Sequence, residues 1–554
     1  MYFLTLSLFV ASCSALRAYT PVPAVCPSGS LVRDASGLSD EEETYRVGRK
    51  AVADVALKSW LEKTDSGFST SGELPTVILC LKIFTLASSN VEQIAMTSSG
   101  GGLRSFLISA GVVKAFDARD SNASTSGLYQ ALTYHAGLSG GGWLVSGLSG
   151  NNWPTVSSMV DSMWRMTIRD SLLVPEFLLA AAAYGEILTD VAEKDAAGFN
   201  TTIVDAYGRL LEYQFIRGAD DSLPFTLSSL TTLSNFTSYA APYPILTATG
   251  AKVWEGECKP GPNGTTYELT PYEFGSWDSD VSAFAQTKYL GTPMSAGKPA
   301  QLTCTENYDN LGLGMSTTSN IFPNICADAP NFDGSAIAEA LEDIVNKIHE
   351  TTTSDLYALY PNPFYNYKSP SQIPNSENDI SAQKTLSLGD GSLNLQNNPI
   401  FPMLQPARNI SVMIVNDNSD DTKTNYPNGS EILTSYVQSF NHGLTRMPFI
   451  PPTEDIIAKN LTTRAIFFGC DDVSKITLIW IPNADYTFNS GTNTAQLAYS
   501  EKDTDSMIAN GVEVATQGGD ASWATCLACG IMLKTGDALP STCTACLDEY
   551  CWSA

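Results

Sequence analysis

Two stretches of this sequence impose the same local shape on the backbone. Residues 91–116 read VEQIAMTSSGGGLRSFLISAGVVKAF, and residues 129–148 read YQALTYHAGLSGGGWLVSGL. In each, a short apolar run gives way to three consecutive glycines and then to a second apolar run. Consecutive glycines weaken the interior of a strand or a helix, so they belong at the junction between the two. After the first junction, Leu103, Phe106, Leu107, Ala110, Val113 and Phe116 follow helical spacing. Both stretches therefore read as strand, tight turn, helix. Four later runs, KTLSLGDG, RNISVMIVND, TRAIFFGC and KITLIWIPN, are short and β-branched and end in polar or turn residues. Strands alternating with helical segments predict an α/β layered core. The stretch from about 150 to 380 is rich in aromatics, Pro and Asn and reads as helices and cap-like insertions.

The junctions also carry chemistry. In Ser99–Arg104, glycines at a helix start leave backbone N–H groups free where the helix dipole is positive. Such a turn suits a phosphate or the oxyanion of an acyl-transfer intermediate. Arg104 adds a charge suited to a phosphate head group. The plainer reading is a tight turn beside a solvated arginine. Gly137-Leu138-Ser139-Gly140-Gly141 satisfies G-x-S-x-G, which pushes a serine oxygen outward at a strand-to-helix turn. Alone the pattern is common in glycine-rich sequence. Asp390, between Gly389 and Gly391 after an apolar run, is either a turn residue or a base for Ser139.

A reactive serine usually needs a histidine. The chain has three, His135, His349 and His442. His135 lies on the strand entering Ser139, and His349 is on an amphipathic helix with a surface character. His442 is the triad candidate, and the order Ser139, Asp390, His442 fits an α/β-hydrolase esterase or lipase. A non-enzymatic secreted glycoprotein on the same scaffold is a third reading.

Charge excludes one class of partner. With 31 Lys+Arg against 58 Asp+Glu the net charge is −27, the opposite of what nucleic-acid binding requires. Residues 1–18 resemble a signal peptide without a basic start, and no later run is long and apolar enough to span a bilayer. The end, CLDEYCWSA, has no hydrophobic tail for a GPI signal, so a secreted protein without a transmembrane or GPI anchor is expected, extracellular or associated with the cell wall. Of twelve cysteines, removing Cys13 with the leader leaves an odd number, with Cys80 in TVILCLKIF expected to be the free thiol. The terminal C-x-x-C pairs imitate zinc spacing but suit disulfides in an exported chain. Candidate N-glycosylation sequons start at Asn122, Asn200, Asn235, Asn263, Asn409, Asn428 and Asn460. The run 157–185 crowds Met159, Met163, Trp164, Met166 and Ile168 together. Apolar helical stripes usually pack inward, so it reads as a core or cap helix before a lipid-facing lid.

Taken together, SGGGLR, GLSGGGW and DGS in that order resemble the catalytic domain of fungal phospholipase B (lysophospholipase), related to group IV cytosolic phospholipases and, distantly, patatin. PYEFGSWDSDVSAFAQTKYLGT (271–292), GMSTTSNIF (314–322), NLQNNPIFPMLQPARNISVMIVNDNSDDTKTNYPNGS (394–430), FFGC (467–470) and the terminal Cys pairs are also similar to it. The resemblance runs from about Cys26 to Cys551. It implies a patatin-like α/β fold with a central mixed sheet and helical cap insertions, a catalytic domain over 26–525 with insertions around 150–380, and a cysteine-rich segment over 526–551. It implies a Ser-Asp dyad without histidine, acting on acyl esters of phospholipids and lysophospholipids. Ser139 becomes the nucleophile, Asp390 its base, Gly101 and Gly102 the oxyanion amides, and Arg104 the phosphate-binding residue. Two positions depart from the family pattern: Ser392 replaces the second Gly of Asp-Gly-Gly, and Gly142 stands where a Ser is common before Trp143. No cofactor or metal is expected. The roughly 80 residues between leader and glycine loop are too few for the separate calcium-binding module of the cytosolic relatives. A carboxylate base also suits an acid medium, because a histidine base would be mostly protonated at about pH 4–5.

Overall fold

The computed structural model describes residues 19–65, 67–68, 93–172, 180–218, 225–324, 356–371 and 379–553. The expected leader, Cys80 and His349 lie outside the described residues.

Among the described residues, a mixed sheet of twelve strands organises the chain. Its strands are β1 (Val32–Asp34), β2 (Ile94–Ser98), β3 (Leu132–Gly137), β4 (Tyr243–Ala251), β5 (Thr266–Leu269), β6 (Glu273–Ser276), β7 (Ala283–Gln286), β8 (Ala358–Pro361), β9 (Thr385–Asp390), β10 (Val412–Asp417), β11 (Ile466–Phe468) and β12 (Thr477–Pro482). The order is β11-β12-β10-β2-β3-β4-β5-β6-β7-β1, with β8 pairing β9 and β9 pairing β4. From β12 to β4 neighbouring strands are parallel, and both flanks are antiparallel. The parallel strands β2, β3 and β10 are buried at every residue, as expected for strands covered on both faces.

One detail of the pairing places the site. The first half of β4 pairs with β3, down to Gly137 opposite Leu246. The second half pairs with β9, up to Asp390 opposite Ala248. The other edge of β4 is taken by β5 from Leu246 to Thr249. Strands β3 and β9 therefore share one edge of β4, running toward each other and stopping two β4 residues apart.

The helices follow local signals. Ser39 caps α1 (Asp40–Thr64) by accepting the Glu42 N–H at 3.1 Å, and four acidic residues complement the dipole of its first turn. Helix α2 (Gly102–Phe116) leaves β2, and α3 (Ser139–Gly150) leaves β3. Helix α2 packs on α7 (Glu501–Thr516), and α4 (Ile203–Phe215) packs on α5 (Leu311–Thr318). Within 157–172, Met159, Trp164 and Ile168 are buried and Met166 is exposed.

The reading of 150–380 as helices and caps is corrected here. Strands β4 to β8 all fall within it and supply nearly half of the sheet. Four of them are only four residues long, and β6 is punctuated by Gly275, so they carry little periodic signal.

Disulfides join Cys26 to Cys304, Cys470 to Cys551, Cys526 to Cys546 and Cys529 to Cys543, and Cys258 is disulfide-bonded as well. The terminal C-x-x-C pairs thus bridge α8 (Trp523–Met532) to α9 (Thr542–Tyr550) instead of forming a zinc site. This pair is not peripheral: Trp523, Leu527 and Cys529 are fully buried, and the Trp523 ring lies 6.0 Å from that of Phe467.

Candidate active site

Two helix N-termini converge at the carboxyl ends of β2 and β3. Ser139 is the first residue of α3 and is held at φ 51°. A left-handed non-glycine residue costs on the order of 1–3 kcal/mol, and such strain is typical of a serine presented at a sharp strand-to-helix turn. A Cβ on Gly140 would lie 2.0 Å from the Gly102 carbonyl oxygen, so only glycine lets α3 approach the glycine loop. Gly101 has φ 134°, which L side chains rarely adopt, and among the described residues neither its N–H nor that of Gly102 donates to a backbone acceptor. The loop thus offers free donors at the start of a helix.

Asp390 arrives at the end of β9 and is fully buried. Its N–H donates to Asn320 O at 3.1 Å, and its Oδ1 accepts the Ser392 N–H at 2.8 Å. Oδ2 is buried without an aligned partner among the described residues. Burial raises the carboxyl pKa above its ordinary value, and hydrogen bonding by Ser392 and by the Ser139 hydroxyl opposes the rise. Gly391 lies against Leu138, the residue before the serine, where a Cβ would come within 3.0 Å of the Leu138 side chain. The structure brings Ser139, Asp390 and the glycine loop together.

Arg104 is placed differently from a solvated arginine. It is fully buried, and its Nε and Nη2 donate to the Asn418 carbonyl at 3.0 and 2.9 Å. Nη1 donates to Thr492 O, and Nη2 donates to Thr494 Oγ1 at 3.0 Å. Asp420 lies 3.9 Å away. Its guanidinium is a clamp between two loops under Gly101.

The two described histidines, His135 and His442, have other partners than Asp390. His442 Nδ1 lies 3.0 Å from Asp278 Oδ1, and this pairing raises its pKa against the effect of burial. The Ser139-Asp390-His442 triad is therefore not assembled: the loop after α6 (Ser430–Asn441) delivers His442 to the turn after β6. His135 is buried, with Nε2 3.1 Å from Ser98 Oγ, and burial lowers its pKa to about 3. Sequence reading missed Asn397 and Asn320, which hold the backbone of the glycine loop and of Asp390 respectively; NLQNNP and TTSNIF show only ordinary loop asparagines.

Among the described residues no group of three or more His, Cys, Asp or Glu is arranged to hold a metal ion. No helix among them is long and apolar enough to cross a membrane.

Residues 94–554 match the lysophospholipase catalytic domain. The chain belongs to this family of carboxylic ester hydrolases. It is 34% identical over 571 residues to Lysophospholipase 3 of Aspergillus fumigatus, covering 97% of this chain and 88% of that protein. It is also 34% identical to Lysophospholipase 1 of Saccharomyces cerevisiae, covering 97% of this chain and 84% of that one. Human GIVD cytosolic phospholipase A2 has the same fold, with a TM-score of 0.69 at 16% identity over 93% of this chain and 72% of its own.

Proposed function

We propose that the lysophospholipase acts as a secreted, calcium-independent phospholipase B, cleaving acyl esters of lysophospholipids and phospholipids through a covalent acyl-enzyme. The observation carrying this reading is the packing of the Asp390 turn and the glycine loop on the Ser139 turn, with Gly391 against Leu138, Gly100 against Ser139, and the Ser139 hydroxyl opposing the rise in the Asp390 pKa. Asp390 accepts the Ser139 proton as Oγ bonds to the ester carbonyl carbon. The carbonyl electrons move to oxygen, where the Gly101 and Gly102 amides receive the charge; one such donor is worth about 3–4 kcal/mol of barrier. Collapse expels the glycerol oxygen, which takes the proton from Asp390. Water then adds to the acyl-enzyme by the same route and releases the fatty acid.

Arg104 is assigned to the phosphate head group by its charge and its place under the loop. For direct contact, the Thr492 carbonyl and the Thr494 hydroxyl would have to release its Nη atoms. Disulfides and exposed sequons at Asn122, Asn200, Asn263, Asn409 and Asn460 support export. Asn235 and Asn428 are half-buried, and the Asn235 amide donates to Asn152 O at 2.6 Å, which makes these two poorer glycan acceptors.

The deciding test is product analysis on lysophosphatidylcholine and phosphatidylcholine with and without chelator. Fatty acid release lost in Ser139→Ala and in Asp390→Ala, and unaffected by chelation, is expected. Turnover surviving in Ser139→Ala would overturn the mechanism, and loss on chelation would overturn calcium independence.

A further inference from the structure

We propose that Asn397 is a positioning residue that aims the Gly101 amide into the oxyanion site, an inference that rests on Gly101 being an oxyanion donor. The contact between the two segments is reciprocal. Gly100 N–H donates to Asn397 O at 3.0 Å, and Asn397 Nδ2 donates back to Gly100 O at 3.3 Å. Ser99 Oγ adds a second donor to the same carbonyl at 3.1 Å. The peptide joining Gly100 to Gly101 is planar and trans, so its C=O and N–H point in opposite directions. A donor that holds the Gly100 carbonyl on one side therefore turns the Gly101 N–H to the other.

Without that hold the peptide would be unusually free. Glycines flank the bond on both sides, and Gly101 adopts a φ of 134° that gives little resistance to rotation in glycine. The fit is close: a Cβ on Gly100 would lie 2.1 Å from Asn397 Oδ1 and 3.1 Å from the Ser139 Cβ. Gly100 is thus wedged between the amide that aims the loop and the serine that attacks.

Asn397 is itself held from two sides. Its Nδ2 donates to Ser419 Oγ at 2.8 Å, and its N–H donates to Glu431 Oε2 at 2.8 Å. Ser419 in turn donates through Oγ to Asp417 Oδ1 at 2.6 Å. The carboxyl groups facing this bracket are Asp417, Asp420, Asp421 and Glu431, and the cation near them is Arg104. Glu431, at the start of α6, is half-buried, and its pKa is pushed up to about 8 by desolvation and then by Asp421.

The Asn-to-Asp exchange separates aiming from bulk. Asp has nearly the same shape, but its side chain donates a hydrogen bond only when protonated. In Asn397→Asp, kcat should approach the wild-type value at acid pH and fall on the order of 10- to 100-fold as the carboxyl ionises, with KM unchanged. Asn397→Ala should lower kcat at every pH. Both variants are to be compared with wild type and Ser139→Ala for labelling rate by an alkyl fluorophosphonate and for Tm. Slowed labelling with an unshifted Tm supports aiming. A kcat in both Asn397 variants that follows the wild-type pH profile overturns it. So does a loss in Asn397→Asp that is equal at all pH values and accompanied by a lowered Tm, which marks a merely structural contact. Labelling that persists in Ser139→Ala overturns the underlying reading instead, so the two failures are distinguishable.

Discussion

Gly137 and Asp390 face Leu246 and Ala248 on one edge of β4, at the ends of strands that run toward each other. A parallel strand and an antiparallel strand thus share an edge. The gap between their tips is filled by Leu138, Ser139 and Gly391. This arrangement delivers a hydroxyl and a carboxylate to neighbouring turns from segments some 250 residues apart in the chain, on three strands that are almost wholly buried.

The dyad is expected to tolerate no change of function at either end. Asp390→Asn keeps the shape and the Ser392 contact but cannot accept the serine proton at neutral charge. A loss of roughly 10²–10⁴-fold in kcat, with little change in Tm, is the expected outcome in steady-state kinetics and calorimetry.

His442→Ala should leave turnover on lysophosphatidylcholine intact. The imidazole pairs with Asp278, so its removal affects the packing of Phe401, whose ring lies 5.0 Å away, and lowers Tm modestly. Abolished turnover in a folded variant would restore the triad.

Gly140→Ala is expected to be far more damaging than its size suggests. The added methyl meets a backbone carbonyl at 2.0 Å, which cannot rotate away as a side chain could. Overpacking of this kind costs about 1–3 kcal/mol and would push α3 from the glycine loop. Both a lowered Tm and lost activity should be measured together.

Arg104→Ala should lower Tm as well as activity, because it removes the donors that bind the Asn418 and Thr492 carbonyls. Leaving buried acceptors unpaired costs roughly 1–3 kcal/mol each. A variant with unchanged Tm and lost activity would indicate a role confined to the head group.

Stability should fall as pH rises from about 5 to 8. Burial raises the folded-state pKa of Glu431 to about 8 and raises that of Asp421 too, where repulsion from Asp417 adds to it. Between the unfolded and the raised folded values the native state binds more protons than the unfolded chain, so each rise in pH favours unfolding. His442, raised by Asp278, acts in the same direction. Glu431→Gln should flatten the dependence of Tm on pH. The same burial argument applies to catalysis: the acid limb of kcat should lie above the ordinary carboxylate pKa of about 3.9, since Asp390 is raised.

Much of this molecule was legible in its residues, and the reason is local. Triple glycines at 100–102 and 140–142 mark the two strand-to-helix junctions in the residue pattern, although the second triplet forms the first turn of α3 and not the turn before it. The apolar runs ending at Asp390 and Asp417 and the paired terminal cysteines are signals of the same kind. Long-range pairing settled the rest. The short strands β5 to β8 have too few residues to show a period, and each exists because a neighbour offers it an edge: β4 pairs β5, β5 pairs β6, β6 pairs β7 and β9 pairs β8. Nothing near His442 in sequence announces Asp278 as its partner. Nothing near Arg104 announces that loops some 310 and 390 residues later will enclose it. Nor does anything near Asn397 point to the glycine it holds. Backbone preference is written residue by residue, whereas the choice of neighbour depends on which surfaces the whole chain buries together.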